Sequence, residues 1–304
     1  MFQPKKRTGI LLGIAVLFLG VAWVALRAQS NAALTEELDV VYGETSGKKL
    51  LLDVFRQANA PTNGTLPAVV FIHGGGWSGG NKKDFHALAK GLARQGYVTA
   101  SVSYRLLNGS TNNTYPAQLD DVQRAIRWFR ANAGKYGINP DKIGAIGASA
   151  GGHLVALLGV VDTRDNSDKA LAAYSSKVQC VVDIFGPTDL TPDFTTYGES
   201  GPAIQKLVDN LVAKPKSTNL DAYKAASPLF SVSSNSAPFL MFHGTVDPLV
   251  PLDQSEKLDA ALKKAGVESK LIVFQGEGHG FAKKENVETF YKESVAFFAR
   301  HLKK

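Results

Sequence analysis

The sequence predicts an α/β protein, a mostly parallel central sheet flanked by helices with a small insertion after the sixth strand. Three observations carry that reading. Short apolar runs rich in β-branched residues alternate with amphipathic helical stretches along most of the chain. Glycine-rich or polar loops directly follow four of those runs, at the strand ends where open parallel sheets place their sites. The 304 residues, 44% of them hydrophobic, are enough to bury one large core.

The elements follow in order. Lys5, Lys6 and Arg7 precede an uncharged run of eighteen residues, 9–26, and small residues stand at 28 and 30. A basic start, an apolar run and small residues together read as an export signal cleaved after Ser30, or as an uncleaved membrane anchor through residues 9–26. In either case the body, residues 31–304, is expected across the membrane, in the periplasm, secreted or anchored. The body opens with a hairpin-like pair, Glu37–Glu44 and Lys49–Arg56. Strands are then expected at Ala68–Ile72, Tyr97–Ser103, Lys142–Ile146, Val178–Val182, Pro238–Phe242 and Lys270–Phe274. Between them, Pro116–Ala133 carries a helical apolar stripe through Val122, Ala125, Ile126 and Phe129. Residues 191–227 break the rhythm. They are polar, proline- and glycine-rich, and hold one helical stretch, Ala203–Val212, so they read as a small cap over the carboxyl ends of the strands.

The chemistry concentrates in the loops. Gly147-Ala148-Ser149-Ala150-Gly151 is G-x-S-x-G between a strand and a helix, the context in which a sharp turn lifts a serine hydroxyl above the sheet edge. A Cβ at 147 or 151 would collide with the neighbouring strand and helix, which is why glycine flanks the serine. Such a nucleophile needs a base and an orienter. Asp247 follows the Pro238–Phe242 strand and His279 follows the Lys270–Phe274 strand. Of six histidines, His279 alone sits in a Gly-His-Gly loop after the last strand. His153 reads as packing behind the serine, His243 as bonded to backbone beside the acid loop, and His86 and His301 as solvated helix residues. Asp189 is the rival acid, set aside because its loop follows an earlier strand. His73-Gly74-Gly75-Gly76-Trp77 leaves the Ala68–Ile72 strand, and its glycines let backbone N–H groups approach a developing oxyanion. Gly75, Gly76 and Ala150 are the expected donors. Trp77, with Phe194, Tyr197 and Tyr223 of the insertion, are the expected substrate contacts.

Gly74-x-Gly76-x-x-Gly79 also matches a dinucleotide fingerprint. That reading needs an acid about twenty residues on, and the next strand carries none, so no cofactor is expected, nor any metal. Removing residues 1–30 takes away Lys5, Lys6, Arg7 and Arg27 and no acid, lowering the net charge from +7 to +3. Little then argues for nucleic-acid binding. Cys180 is the single cysteine, reads as a buried strand residue, and excludes an intrachain disulfide.

HGGGW at 73–77, GASAGGHL at 147–154, ASPL at 226–229, PFLMFHGTVDPLVPLDQS at 238–255 and GEGHGF at 276–281 together resemble the carboxylesterase branch of the α/β-hydrolases. Within it the chain most resembles the bifunctional feruloyl and acetyl esterase group, relatives of the hormone-sensitive-lipase-like esterases, over about residues 36–302. The order Ser, Asp, His along the chain is that of α/β-hydrolases. The resemblance implies Ser149 as nucleophile, Asp247 as acid, His279 as base, and Gly75, Gly76 and Ala150 as oxyanion donors. Ala148 stands where the lipase-like enzymes carry an acid, and no long helical cap precedes the HGGG strand. Both departures point to the feruloyl and acetyl branch. The implied substrate is a small-molecule or polysaccharide ester. The alternatives are a serine peptidase or amidase on the same fold, or a hydrolase fold used only for binding.

Overall fold

The computed structural model describes residues 32–45 and 47–303. The expected signal or anchor, residues 1–30, lies outside the described residues. Among the described residues no helix is long and apolar enough to cross a membrane.

Among the described residues, eight strands form one sheet in the order β1-β2-β4-β3-β5-β6-β7-β8. β1 (Leu34–Thr45) and β2 (Lys48–Gln57) make the opening hairpin, and β2 pairs antiparallel with both β1 and β4 (Val98–Val102). β3 (Leu66–Ile72), β5 (Ile138–Ala148), β6 (Val181–Ile184), β7 (Phe239–Gly244) and β8 (Ser269–Phe274) complete it, each parallel to its neighbours. This is the expected mostly parallel α/β sheet. Its central strands are buried on both faces, which is why they read as continuous apolar runs rather than alternating ones. Along β3, Ala68, Val70 and Ile72 join one core while Val69 and Phe71 join the other.

Helices α1 (His86–Arg94) and α7 (Lys284–Leu302) cover one face, supplying Ala89, Leu92, Phe297 and Phe298. Helices α2 (Ala117–Ala131), α3 (Ala150–Val160) and α6 (Asp253–Lys264) cover the other, with Leu119, Val122, Leu154 and Leu258. Residues 191–227 hold α4 (Gly201–Val212), α5 (Leu220–Ala225) and short 3-10 turns. The stem of this insertion is closed where Leu190 N–H donates to Ser227 Oγ at 2.8 Å. Two local readings differ. β6 begins one residue beyond Cys180, whose carbonyl still accepts from Ala145 N–H at 3.0 Å. α5 was not read, because six residues are too few to show a helical period.

One buried group constrains the sheet beneath the serine turn. Asp183 of β6 lies opposite Gly147 of β5 and is fully buried. Its Oδ1 accepts from Gly186 N–H at 2.9 Å, while Oδ2 has no partner among the described residues. Burial pushes its pKa up to about 7, with the Gly186 hydrogen bond acting in the opposite direction. The unfolded chain ionises this carboxyl near 4, so its stabilising contribution is complete below that pH and declines as pH rises through 7. Asp183→Asn removes the titration. Between pH 5 and pH 8 the variant should gain roughly 2–3 kcal/mol relative to the parent, about 4–5 °C in Tm. Thermal unfolding at the two pH values measures this, and a pH-independent difference would refute it.

Candidate active site

The turn from β5 into α3 sets the geometry. Ser149 adopts φ +56° and ψ −122°, a conformation side chains rarely take. A Cβ on Gly151 would run into the carbonyl oxygens of Ile72 and His73, and one on Gly147 into the carbonyl of Gly151. Only glycine lets α3 start this close to β3 and β5. Ser149 N–H donates to Ile184 O at 2.9 Å, tying the turn to β6.

Ser149, His279 and Asp247 meet above the carboxyl ends of β5, β8 and β7. His279 Nε2 lies 2.9 Å from Ser149 Oγ, and His279 Nδ1 lies 2.8 Å from Asp247 Oδ2. A carboxylate only accepts, so Nδ1 carries the hydrogen and Nε2 is left to accept from the serine hydroxyl. The other carboxylate oxygen, Oδ1, accepts from Leu249 N–H at 2.8 Å and Val250 N–H at 2.9 Å. The Asp247 carboxylate is wholly buried and the His279 ring nearly so. The Phe185 ring backs the imidazole at 4.4 Å between centroids.

Sequence reasoning gave no role to Glu277, although it lies inside the GEGHGF motif. Its carboxylate accepts from Ala282 N–H and Lys283 N–H at 2.9 Å and from Asn286 Nδ2–H at 2.7 Å, clasping the loop that bears His279. Its backbone carbonyl accepts from Val246 N–H at 3.0 Å, next to Asp247. Burial raises its pKa, but these hydrogen bonds outweigh that and hold the carboxyl below the usual range.

The other expected candidates have other hydrogen-bond partners, although His243 Nε2 stands 3.6 Å from Asp247 Oδ2. Asp189 Oδ1 accepts from Thr191 N–H at 2.9 Å and Thr191 Oγ1–H at 2.6 Å, turning the chain into the insertion. His243 Nε2–H donates to Val250 O at 2.8 Å, and its Nδ1 accepts from Ser255 Oγ–H at 2.7 Å. Burial lowers its pKa, in keeping with this neutral tautomer. His86, expected to be solvated, instead pairs with buried Asp53 at 2.8 Å, beside Lys82.

Ser149 opens on a cavity of about 60 Å³, small beside the ~300–1,000 Å³ of common ligand pockets. Gly76, Trp77 and Ala150 line it together with Phe194. Ala150 is the first residue of α3, so its N–H has no partner within the helix. Gly75 lies outside the lining. At φ +105° it makes the turn, its carbonyl accepting from Ser78 and Gly79 N–H. Two expected contacts stand apart from this lining. Tyr197 packs on Phe194 at 5.6 Å and is not in the lining. Tyr223 is fully buried, with its hydroxyl donating toward Asp209 Oδ1 at 2.8 Å and Lys214 O at 2.9 Å, so it packs the insertion rather than facing the serine. The insertion contributes aliphatic residues instead: Ile204, Leu207 and Val208 of α4, one apolar stripe at helical spacing. Leu249, Val250 and Pro251 close the remaining side. Among the described residues no group of three or more His, Cys, Asp or Glu could hold a metal ion.

Comparison with known proteins places this arrangement. The BD-FAE family model matches residues 52–262. A Mycobacterium tuberculosis protein named as the probable carboxylic ester hydrolase LipM is 34% identical over 219 residues, covering 71% of this chain and 49% of the relative. The chain spans about half the length of the mycobacterial relatives it matches. Among solved structures, a truncated carbohydrate esterase from gut microbiota superposes with a TM-score of 0.74 at 27% identity, covering 91% of this chain and 99% of that one. A thermophilic esterase of Thermogutta terrifontis with butyrate bound gives a TM-score of 0.72 at 27% identity, covering 88% and 94% of the two chains.

The two acid candidates are separable by exchange. Asp247→Asn leaves His279 without the acceptor that fixes its tautomer and should lower turnover of p-nitrophenyl acetate by about 10⁴-fold, whereas Asp189→Asn should cost less than about tenfold. Equal losses would contradict the assignment.

Proposed function

The chain belongs to the BD-FAE family of bifunctional feruloyl and acetyl esterases, and on that premise we propose that it is an exported serine carboxylesterase acting on short-acyl esters. The observation that carries this reading is the continuous line Asp247–His279–Ser149, with the serine hydroxyl opening on a small apolar cavity. Ser149 Oγ attacks the ester carbonyl as its proton passes to His279 Nε2, and the buried Asp247 carboxylate stabilises the imidazolium. Negative charge on the carbonyl oxygen meets the N–H of Ala150 and the backbone of the Gly76 turn, a type of interaction worth about 3–4 kcal/mol per donor. The alcohol leaves with the proton from His279. Water, deprotonated by the same nitrogen, then releases the acid and regenerates the serine.

Residues 1–30 carry the body across a membrane, either as a cleaved signal or as an anchor through residues 9–26. Acetyl groups on polysaccharide are the natural esters that a cavity of this size takes in an exported member of this family, and a feruloyl group would need it to widen. The butyrate held by the Thermogutta esterase is consistent with a site for short acyl chains.

Substrate length tests the reading. Each methylene adds ~0.8 kcal/mol only where it is buried, and a cavity of about 60 Å³ is soon filled. Full-length protein assayed on p-nitrophenyl esters should show kcat/KM greatest between acetyl and butyryl and falling by octanoyl, with activity on acetylated xylan or methyl ferulate naming the natural group. A profile rising steadily to dodecanoyl would contradict it and indicate a lipase.

A further inference from the structure

We infer that His153, buried behind the serine turn, is a positioning residue that sets acyl selectivity by holding the Trp77 indole as a wall of the cavity at Ser149. The inference rests on the esterase reading above and adds a residue to which neither the triad nor the oxyanion loop gives a role.

His153 stands one helical turn into α3, its N–H donating to Ser149 O at 2.9 Å. Its side chain is wholly buried and makes two hydrogen bonds. Nε2 lies 2.7 Å from Ala226 O, and Nδ1 lies 3.2 Å from Trp77 Nε1. A carbonyl can only accept and an indole N–H can only donate. The two contacts therefore require one neutral tautomer, with the hydrogen on Nε2 and the lone pair of Nδ1 facing Trp77. A protonated ring could not accept from the indole. Burial drives the pKa down to about 4, so this tautomer persists through neutral pH.

Trp77 needs such a partner. It follows Gly76 directly and lies at φ +56°, a conformation unfavourable for a bulky side chain. Its ring meets His153 edge to face at 5.3 Å and 86° and lines the cavity with Ser149 and Leu207. On the other side, Ala226 ends the insertion beside Ser227, the residue that closes its stem onto Leu190. His153 thus connects the helix behind the nucleophile, the indole wall and the stem of the segment that brings Leu207 over the site.

Amide side chains divide the two bonds. Gln reaches the position of Nε2 and can still donate to Ala226 O, whereas Asn reaches the position of Nδ1 and can still accept from Trp77. The full-length His153→Gln, His153→Asn, Trp77→Phe and Trp77→Phe/His153→Gln variants would be assayed on p-nitrophenyl acetate and hexanoate. The ratio of the two kcat/KM values is independent of the fraction of protein correctly folded. His153→Gln and Trp77→Phe should each raise the hexanoate-to-acetate ratio about tenfold, with the double variant no further than either alone because the two act on one contact. His153→Asn should keep the parent ratio. A His153→Gln ratio within about twofold of the parent, a His153→Asn ratio shifted as far as that of His153→Gln, or fully additive changes would overturn the inference. If His153→Gln does not fold, His153→Leu, which fills the space without accepting from the indole, takes its place with the same expected ratio. A parent protein inactive on every ester would instead count against the functional reading.

Discussion

The arrangement depends on one backbone constraint, the left-handed turn at Ser149 between β5 and α3. Its cost, of the order of 1–3 kcal/mol, persists only because the surroundings leave the chain no alternative. Gly147 and Gly151 allow α3 to start against β3, and any side chain there would strike backbone rather than a movable group. Ser149 N–H is spent on Ile184 O, so the turn is also pinned to β6. Strain, close packing and a hydrogen bond to the neighbouring strand together fix where the hydroxyl stands before any substrate arrives.

The remaining groups are brought to that point by the sheet order. β7 and β8 are adjacent and parallel, so their exit loops lie side by side and Asp247 can reach His279 although 32 residues separate them. Glu277 joins the two loops, its carboxylate closing the His279 loop and its carbonyl fastening Val246. Asp247 is itself held by two backbone N–H groups, which leaves its second oxygen for the imidazole. Such preorganisation matters because a misplacement of about 1 Å can cost about 10²-fold in rate.

Fold and candidate site were legible in the sequence to different depths, for physical reasons. Buried parallel strands are continuous apolar runs, and glycine-bound motifs mark their ends, so the strands and the Ser149, Asp247 and His279 loops could be read locally. The contacts of the insertion could not. Tyr197 and Tyr223 looked like substrate contacts because large aromatics in a polar segment suggest a binding surface. The rings were needed to pack that segment, and Tyr223 is anchored by Asp209 and Lys214. The stripe Ile204, Leu207, Val208 had the correct helical spacing, but which way α4 faces is decided by tertiary packing. Glu277 was hidden for another reason: a buried carboxylate satisfied by N–H groups later in its own loop has no spacing signature.

The central claim is that Ser149 is chemically activated by its place in this line of residues. Reaction of the full-length protein with a fluorophosphonate probe, followed by tryptic mass mapping, tests it most directly, because stable phosphonylation requires an activated serine. The tryptic peptide spanning residues 143–164 contains Ser149 as its only serine. The account predicts a single stoichiometric adduct on that peptide, lost in Ser149→Ala. An unlabelled peptide, or an adduct on a different serine, would contradict it.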